Sequence, residues 1–169
     1  MIRYCAAALF FAVVVMLPLS AASGPRADRP GHGSQMGLYL PDSMEWVDGP
    51  PSLPRGAKVA LLEGDPAAEG MFVMRAKLPD GYHVPPHTHP KTERVTVISG
   101  TLELAMGEQL TRGAAKPLPA GSFGYWPAGM KHAAWAKGVT IIQIHGAGPW
   151  EINYINPADD PRNAPNRRD

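Results

Sequence analysis

The sequence has 169 residues, enough for one domain, and contains 18 glycines and 19 prolines. Because both residues interrupt helices, this composition excludes a helical bundle or a coiled coil and favours short strands joined by many turns. A hydrophobic fraction of 44% excludes wholesale disorder, and a formal net charge of +1 leaves no basic surplus for binding nucleic acid.

The N-terminal residues 1–22 are predicted to be a secretory signal peptide that is cleaved. Arg3 precedes a continuous apolar run that Pro18 interrupts, and small residues follow at 20–22. The run is shorter than the roughly 20 residues of a membrane-spanning helix, which disfavours the alternative of an uncleaved anchor. We therefore expect a periplasmic or secreted protein with no stable membrane span after cleavage.

Cleavage would also remove Cys5, the one cysteine of the sequence. A chain without thiols has no disulfide, no Cys-based zinc site and no Cys nucleophile. Any metal would then be held by histidine and carboxylate side chains.

Three further segments follow the predicted signal peptide. Residues 23–56 are expected to be a flexible lead-in and an extended N-terminal arm, because the proline- and glycine-rich stretch 49–56 suits neither a helix nor a central strand. Residues 57–155 consist of short apolar runs between turn residues, which predicts an all-β sandwich or small barrel. Residues 156–169 lack apolar anchors and are expected to form a loose tail or to pack against a neighbouring subunit.

The predicted strands of the barrel have regular spacing. They are residues 58–63, 71–78, 94–99, 101–106, 122–126, 132–136, 139–145 and 150–155. Gly100 is expected to form a tight corner between the third and the fourth.

A His-x-His pair lies in the first half of this region. On an extended chain, residues two apart project to the same face, so the side chains of His87 and His89 point the same way. Prolines on both sides of the pair stiffen the backbone. Glu93 follows four residues later, and His132 follows a Pro-x-Gly turn that can return a strand to the same place. Three imidazoles and one carboxylate suit a divalent first-row metal.

The alternative for each histidine is an ordinary surface or hydrogen-bonded role, which is the commoner one for a single histidine on a strand. The His-x-His pair with a following glutamate favours a metal site, and the spacing of the two surrounding segments strengthens this interpretation.

The two segments resemble the two motifs of the cupin superfamily. The residues that fill the first motif are Gly81, His87, His89, Glu93 and Gly100, and those that fill the second are Gly121, Pro127, Gly129 and His132. Ala136 stands where the second motif has Asn, a difference expected to concern packing. The resemblance covers about residues 58–155, and the flanking segments resemble those of small exported single-domain bacterial cupins.

The resemblance implies a double-stranded β-helix, or jelly-roll barrel, that is commonly a homodimer. It also implies one divalent transition metal, held by residues matching His87, His89, Glu93 and His132. The ion would be Fe, Mn, Ni, Cu or Zn, and the sequence leaves its identity open.

Two residues are candidates for catalysis. Glu93 would be a ligand that detaches and takes a proton. His145 ends the predicted strand 139–145 and shares a face with Gln143, whereas apolar residues occupy the other face. If the polar face meets the barrel mouth, His145 is a second base or substrate contact; if that face is exterior, it is an edge residue.

Cupins support several chemistries, so two functions of different class remain open. The first is a metal-dependent enzyme, a dioxygenase or an isomerase, with dioxygenase-type oxidation of a small oxygenated organic substrate favoured. The second is a non-catalytic, metal-assisted binder of a small carbohydrate or carboxylate ligand. A purely structural metal is disfavoured, because a three-histidine site leaves coordination positions open.

Overall fold

The computed structural model describes residues 36–163, which form nine β-strands. The strands are β1 (Val47–Asp48), β2 (Lys58–Glu63), β3 (Gly70–Leu78), β4 (His83–Thr88), β5 (Glu93–Met106), β6 (Lys116–Pro119), β7 (Phe123–Trp126), β8 (His132–Gly148) and β9 (Asn153–Tyr154). Four single 3-10 turns lie at Pro41–Ser43, Arg112–Ala114, Pro157–Asp159 and Pro161–Asn163. This part of the chain contains no α-helix, which confirms the predicted all-β class.

Two observations concern the predicted absence of a stable membrane span and the predicted signal peptide. Within residues 36–163, no helix is long and apolar enough to cross a membrane. The predicted signal peptide, residues 1–22, lies outside the described residues.

The two long strands β5 and β8 organise a single antiparallel sheet. β8 pairs with β3, β4 and β5, and β5 pairs in addition with β6 and β7. The strands β2 and β1 continue the sheet beyond β3, and β9 continues it beyond β4. Because each long strand changes partners along its length, the sheet curls around an interior.

The bend in β5 lies at Gly100. The sequence predicted two strands separated by this residue, and the structure joins them into one strand whose register shifts on either side of Ser99. Gly100 has φ +74°, and a Cβ there would lie 2.5 Å from Oγ1 of Thr140. Only glycine fits this corner without displacing its neighbours. β8 likewise joins two predicted strands, 132–136 and 139–145.

Two strands that the sequence analysis did not predict contain prolines. β4 includes Pro85 and Pro86, and its register with β8 shifts between Val84 and His87, around that pair. β6 contains Pro117 and Pro119 and pairs with β5 alone. Proline is tolerated at an irregularity or an edge, where its missing N–H breaks no ladder.

The barrel interior is apolar, and Ala136 belongs to it. This residue is fully buried in a core that includes Phe72, Leu102 and Ile144. Its N–H donates to the carbonyl of Tyr82 at 2.8 Å. The amide of an asparagine at this position would need buried partners of its own, so the apolar surroundings suit the alanine.

The N-terminal arm is fastened to the barrel by two tyrosines. The hydroxyl of Tyr82 donates to the carbonyl of Pro54 at 2.5 Å, and that of Tyr154 donates to the carbonyl of Ser52 at 2.7 Å. The arm is not extended throughout, because the N–H of Leu53 bonds back to the carbonyl of Pro50 at 2.9 Å. These bonds hold Leu53 over one end of the barrel interior.

The C-terminal segment differs from the expected loose tail as far as Asn163. Residues 157–163 form two consecutive 3-10 turns. The guanidinium of Arg162 donates to the carbonyl of Ile152 at 3.0 Å and to the carboxylate of Asp160 at 2.7 Å. Polar contacts therefore fasten a segment that has no apolar anchor.

Candidate metal centre

Three histidines and one glutamate meet at one end of the barrel interior. His87 and His132 are ladder partners on β4 and β8, and their ring centroids lie 4.1 Å apart. His89 follows β4, and its ring centroid lies 4.9 Å from that of His87. Glu93 opens β5. All four side chains are buried, with 2 to 5% of each residue exposed.

Backbone carbonyls fix the orientation of all three imidazoles. The contacts are His87 Nδ1 to Pro85 O (2.7 Å), His89 Nδ1 to Glu151 O (2.6 Å) and His132 Nδ1 to Met130 O (3.0 Å). A carbonyl only accepts, so each Nδ1 carries the proton and donates it. Each Nε2 then keeps a free lone pair, the form in which imidazole binds a metal.

The carboxylate of Glu93 faces two of these lone pairs. Its Oε2 lies 3.1 Å from Nε2 of His89 and 3.4 Å from Nε2 of His132. The indole N–H of Trp126 donates to the same oxygen at 2.5 Å. The carboxylate is therefore held toward the histidines by a neighbouring donor.

Burial and the neighbouring ionisable groups both shift the pKa values of this cluster. Burial and the neighbouring imidazoles of His132 and His89 lower the pKa of His87 to about 3. Burial also acts to lower the pKa of His89, but the Glu93 carboxylate outweighs it and raises that pKa. The pKa of Glu93 is lowered, because the two facing histidines overcome its burial. The cluster thus favours an ionised carboxylate beside a neutral His87.

The arrangement fits a divalent transition metal. One nitrogen from each of His87, His89 and His132 lies within 4.8 Å of the others, so the three could hold one ion. The Nε2 lone pairs and the ionised carboxylate repel each other unless a proton or a metal cation lies between them. Imidazole and carboxylate ligands suit Fe, Mn, Ni, Cu and Zn alike, so the ligand types leave the ion's identity open.

A small cavity of about 50 Å³ lies beside the cluster. Apart from the four cluster residues, its wall is apolar or aromatic and consists of Leu53, Met74, Ala76, Leu78, Val84, Val95, Leu102, Leu104, Trp126, Ala134, Ile142, Ile144, Trp150 and Ile152. The arm residue Leu53 is the part of this wall that comes from outside the barrel. A cavity of this size holds only a few atoms at a time.

Trp150 packs against the histidine cluster and has an unpartnered indole N–H. Its ring stacks on that of His89, with centroids 4.5 Å apart and planes 17° from parallel. Its indole N–H is buried and has no hydrogen-bond partner among residues 36–163. Trp150 also lines the cavity, and a buried donor without a partner is free to bond to an acceptor that a ligand brings.

The structure places His145 elsewhere. On β8 the residues Ile142 and Ile144 face the cavity, so His145 lies on the opposite face of the strand. Its ring lies nearly parallel to that of Phe123, with centroids 6.3 Å apart, and it lines a separate surface cavity. Its position does not support the candidate role of catalytic base at the histidine cluster.

His83 also lies apart from the cluster, although it shares strand β4 with His87. It stacks on Trp135 with centroids 4.7 Å apart. The register shift at the intervening prolines changes the face that each histidine presents.

The sequence analysis did not assign roles to Trp126 and Trp150. Trp126 ends the predicted strand 122–126, and Trp150 begins the predicted strand 150–155. The signal in the sequence is the indole N–H of each tryptophan, because a buried N–H usually donates to a nearby acceptor. Sequence spacing does not reveal which acceptor the fold supplies.

Comparison with known families decides the classification. The sequence profile described as the ChrR cupin-like domain matches residues 34–151. This chain belongs to the ChrR cupin-like family. The cupin resemblance and the jelly-roll barrel predicted from the two motifs are thereby confirmed.

Solved cupin structures share the fold of this ChrR cupin-like chain at low sequence identity. The polyketide cyclase RemF from Streptomyces resistomycificus has a TM-score of 0.60 and 16% identity, over 76% of this chain and 91% of that one. An acetylacetone dioxygenase from Acinetobacter johnsonii has a TM-score of 0.58 and 21% identity, over 76% and 83%. KdgF from Halomonas sp. has a TM-score of 0.51 and 16% identity, over 68% and 96%. No curated protein matches the chain.

Proposed function

We propose that this cupin is a metal-dependent enzyme that oxidises a small oxygenated organic substrate in a dioxygenase-type reaction. His87, His89, His132 and Glu93 would hold one divalent transition metal. The observation that carries the proposal is the common orientation of the three imidazoles, each with Nδ1 bonded to a carbonyl. A redox-active ion at this point would supply electron exchange with O₂.

The residues around the cluster support specific roles. Glu93 is the one carboxylate among the described residues of the cavity wall, so it is the group that takes a proton from the substrate. The free indole N–H of Trp150 would donate to a substrate oxygen. The apolar wall keeps water away from the reacting atoms. Both atoms of O₂ would enter the substrate, which itself supplies the electrons.

The cavity also supports a class of substrate. An apolar wall with few polar groups favours a compact molecule that has adjacent oxygens and a hydrocarbon remainder, such as a diketone in its enol form. A fold neighbour is an acetylacetone dioxygenase, which acts on such a compound according to its name. Because the cavity holds only a few atoms, Leu53 would move with the arm to admit the substrate.

Metal content tests the site. We expect about one Fe, Mn, Ni or Cu ion per chain in protein purified from its native compartment. His132→Ala should lose the ion, whereas His83→Gln, on the same strand as His87 but outside the cluster, should retain it. Absence of metal from the wild-type protein after reconstitution with each ion would overturn the proposed site.

Oxygen consumption tests the reaction. Metal-loaded protein should consume O₂ in the presence of diketones, catechols or flavonols, with both oxygen atoms of ¹⁸O₂ recovered in the products. Glu93→Gln should abolish turnover. A metal-loaded protein that consumes no O₂ with any of these classes would overturn the dioxygenase assignment and leave the metal site intact.

One observation favours a second function, metal-assisted binding of a carbohydrate or carboxylate ligand without turnover. Apart from the cluster, no acid or base among residues 36–163 lines the cavity. Zinc in the native protein, together with a ligand that binds without being consumed, would favour this function over oxidation.

We also propose a cellular location and an oligomeric state for the protein. The apolar N-terminal segment supports export to the periplasm or the medium after cleavage. The exposed apolar residues of the arm, Met36, Leu38 and Leu40, support a homodimer in which they are covered. N-terminal sequencing of the native protein and its mass in solution test these two points.

A further inference from the structure

A second cavity lies on the outer face of the sheet. Its volume is about 690 Å³, and it shares no wall residue with the cavity beside the histidine cluster among residues 36–163. Its wall consists of Met71, Pro90, Lys91, Thr92, Arg94, Ala128, His145 and Ala147. A volume of this size accommodates an organic molecule, unlike the much smaller interior cavity.

Three nitrogen-bearing side chains from two strands and a loop meet in this cavity. Arg94 on β5 and His145 on β8 are direct ladder partners, and Lys91 comes from the loop that precedes β5. Side chains of direct ladder partners lie about 5 Å apart. No carboxylate within residues 36–163 lines the cavity to balance these groups.

The donors of this cavity are largely unused. Within the described part of the chain, the side chains of Arg94 and His145 have no hydrogen bond or ion pair. Lys91 donates one hydrogen bond to the carbonyl of Gly148, which holds its amine at the cavity and leaves two N–H groups free. Two cations, Lys91 and Arg94, thus line one cavity without a carboxylate to pair with them, and a bound anion would supply that pairing.

Apart from Thr92, the remaining wall is apolar, and aromatic residues flank it. Met71, Ala128 and Ala147 supply hydrocarbon surface. Tyr125 is the ladder partner of Arg94 on β7, and the ring of Phe123 lies nearly parallel to that of His145. Both aromatic residues are more than half exposed. The surroundings thus suit a ligand that has an apolar body beside its charged group.

We propose that the cavity formed by Lys91, Arg94 and His145 binds a small organic oxyanion, a carboxylate or a phosphate monoester. The guanidinium of Arg94 would bind two oxygens of the anion, with Lys91 and His145 as further donors. The apolar body of the ligand would lie against Met71 and Ala147. This site is independent of the metal and of the proposed oxidation.

Amide NMR spectra of the zinc-loaded protein at low ionic strength test the site. Benzoate and phenyl phosphate are the probes, and benzamide is the neutral control. We expect saturable shifts at residues 91–94 and 145–147 with at least one of the two anions and none with benzamide. Benzoate alone would identify a carboxylate ligand, and phenyl phosphate alone a phosphate ligand.

Variants then assign the binding to these side chains. Arg94→Gln should weaken binding by about tenfold or more, the loss expected for charged hydrogen bonds. The exposed Lys137→Gln, with the same change of charge, should bind as the wild type does. Lys91→Gln and His145→Gln provide the same comparison if Arg94→Gln does not fold.

Any one of four results would overturn the proposal. Three of them are no saturable shift with either anion, equal binding of benzamide, and unchanged affinity in folded Arg94→Gln. Shifts confined to the surroundings of His87 and His132 would show binding at zinc and would overturn it equally.

Discussion

The indole N–H of Trp126 donates to Oε2 of Glu93 at 2.5 Å, the oxygen that also faces the histidine cluster. Trp126 ends β7 and Glu93 opens β5, and the two are ladder partners. The bond leaves the glutamate few alternative orientations. Trp126 is therefore a positioning residue for the carboxylate.

Replacing Trp126 with Phe tests this role. The variant keeps the ring but loses the donor, so Glu93 is less firmly held, and affinity for zinc should fall by about 10- to 100-fold. The measurement is competition for zinc with a chelator. Trp135→Phe, which alters a tryptophan stacked on His83, should bind zinc as the wild type does. Equal zinc affinities of Trp126→Phe and Trp135→Phe would show that Trp126 does not position the carboxylate of Glu93.

Trp150→Phe tests the proposed donor to substrate. Phenylalanine preserves most of the stacking on His89 but removes the buried N–H. We expect KM for the substrate to rise about tenfold, the value of one lost hydrogen bond, with metal content unchanged. Steady-state kinetics beside metal analysis provide the check. A KM equal to that of the wild type would show that this N–H does not contact the substrate.

Gly100→Ala tests the corner in β5. The left-handed φ of +74° and contacts of 2.5 Å with Thr140 Oγ1 and Val139 O should together destabilise the fold by about 3 kcal/mol or more. Gly107→Ala is the matched control, because Gly107 has φ +80° and open space around its Cβ position. It should cost only about 1 to 2 kcal/mol. Urea unfolding of both variants measures the difference, and equal losses would show that crowding at the corner is unimportant.

Alkaline pH should loosen the N-terminal arm. Burial, with a smaller effect of Asp160, raises the pKa of Tyr154 from 10.0 to about 12, and burial also raises the pKa of Tyr82. As the pH rises, the two tyrosine hydroxyls therefore ionise in the unfolded chain before they ionise in the folded protein. The stability that these hydroxyls contribute is complete below pH 10 and is lost as the pH rises toward the folded-state values.

Chemical unfolding between about pH 9 and 12 measures this effect. Tyr82→Phe and Tyr154→Phe should each flatten the fall in the free energy of unfolding with pH. Tyr125→Phe should not, because that residue is 66% exposed. The same slope in all three variants and the wild type would exclude the two arm tyrosines as its cause.

The sequence determined the class of the fold and the members of the cluster. Glycines and prolines between short apolar runs specify strands and turns, because these residues restrict the backbone locally. The alternation of side chains along an extended chain predicted that His87 and His89 point the same way, and motif spacing added Glu93 and His132. These signals are local in the chain, or they repeat a pattern that a family shares.

Only the tertiary structure decided which face and which neighbours each residue has. His145 lies outside the cavity because the apolar face of β8 turns inward. The prolines of β4 separate His83 from His87 by a register shift. Trp126 and Glu93, 33 residues apart, meet only after β5 and β7 pair. Such contacts depend on strand register and on the curl of the whole sheet, which no local pattern specifies.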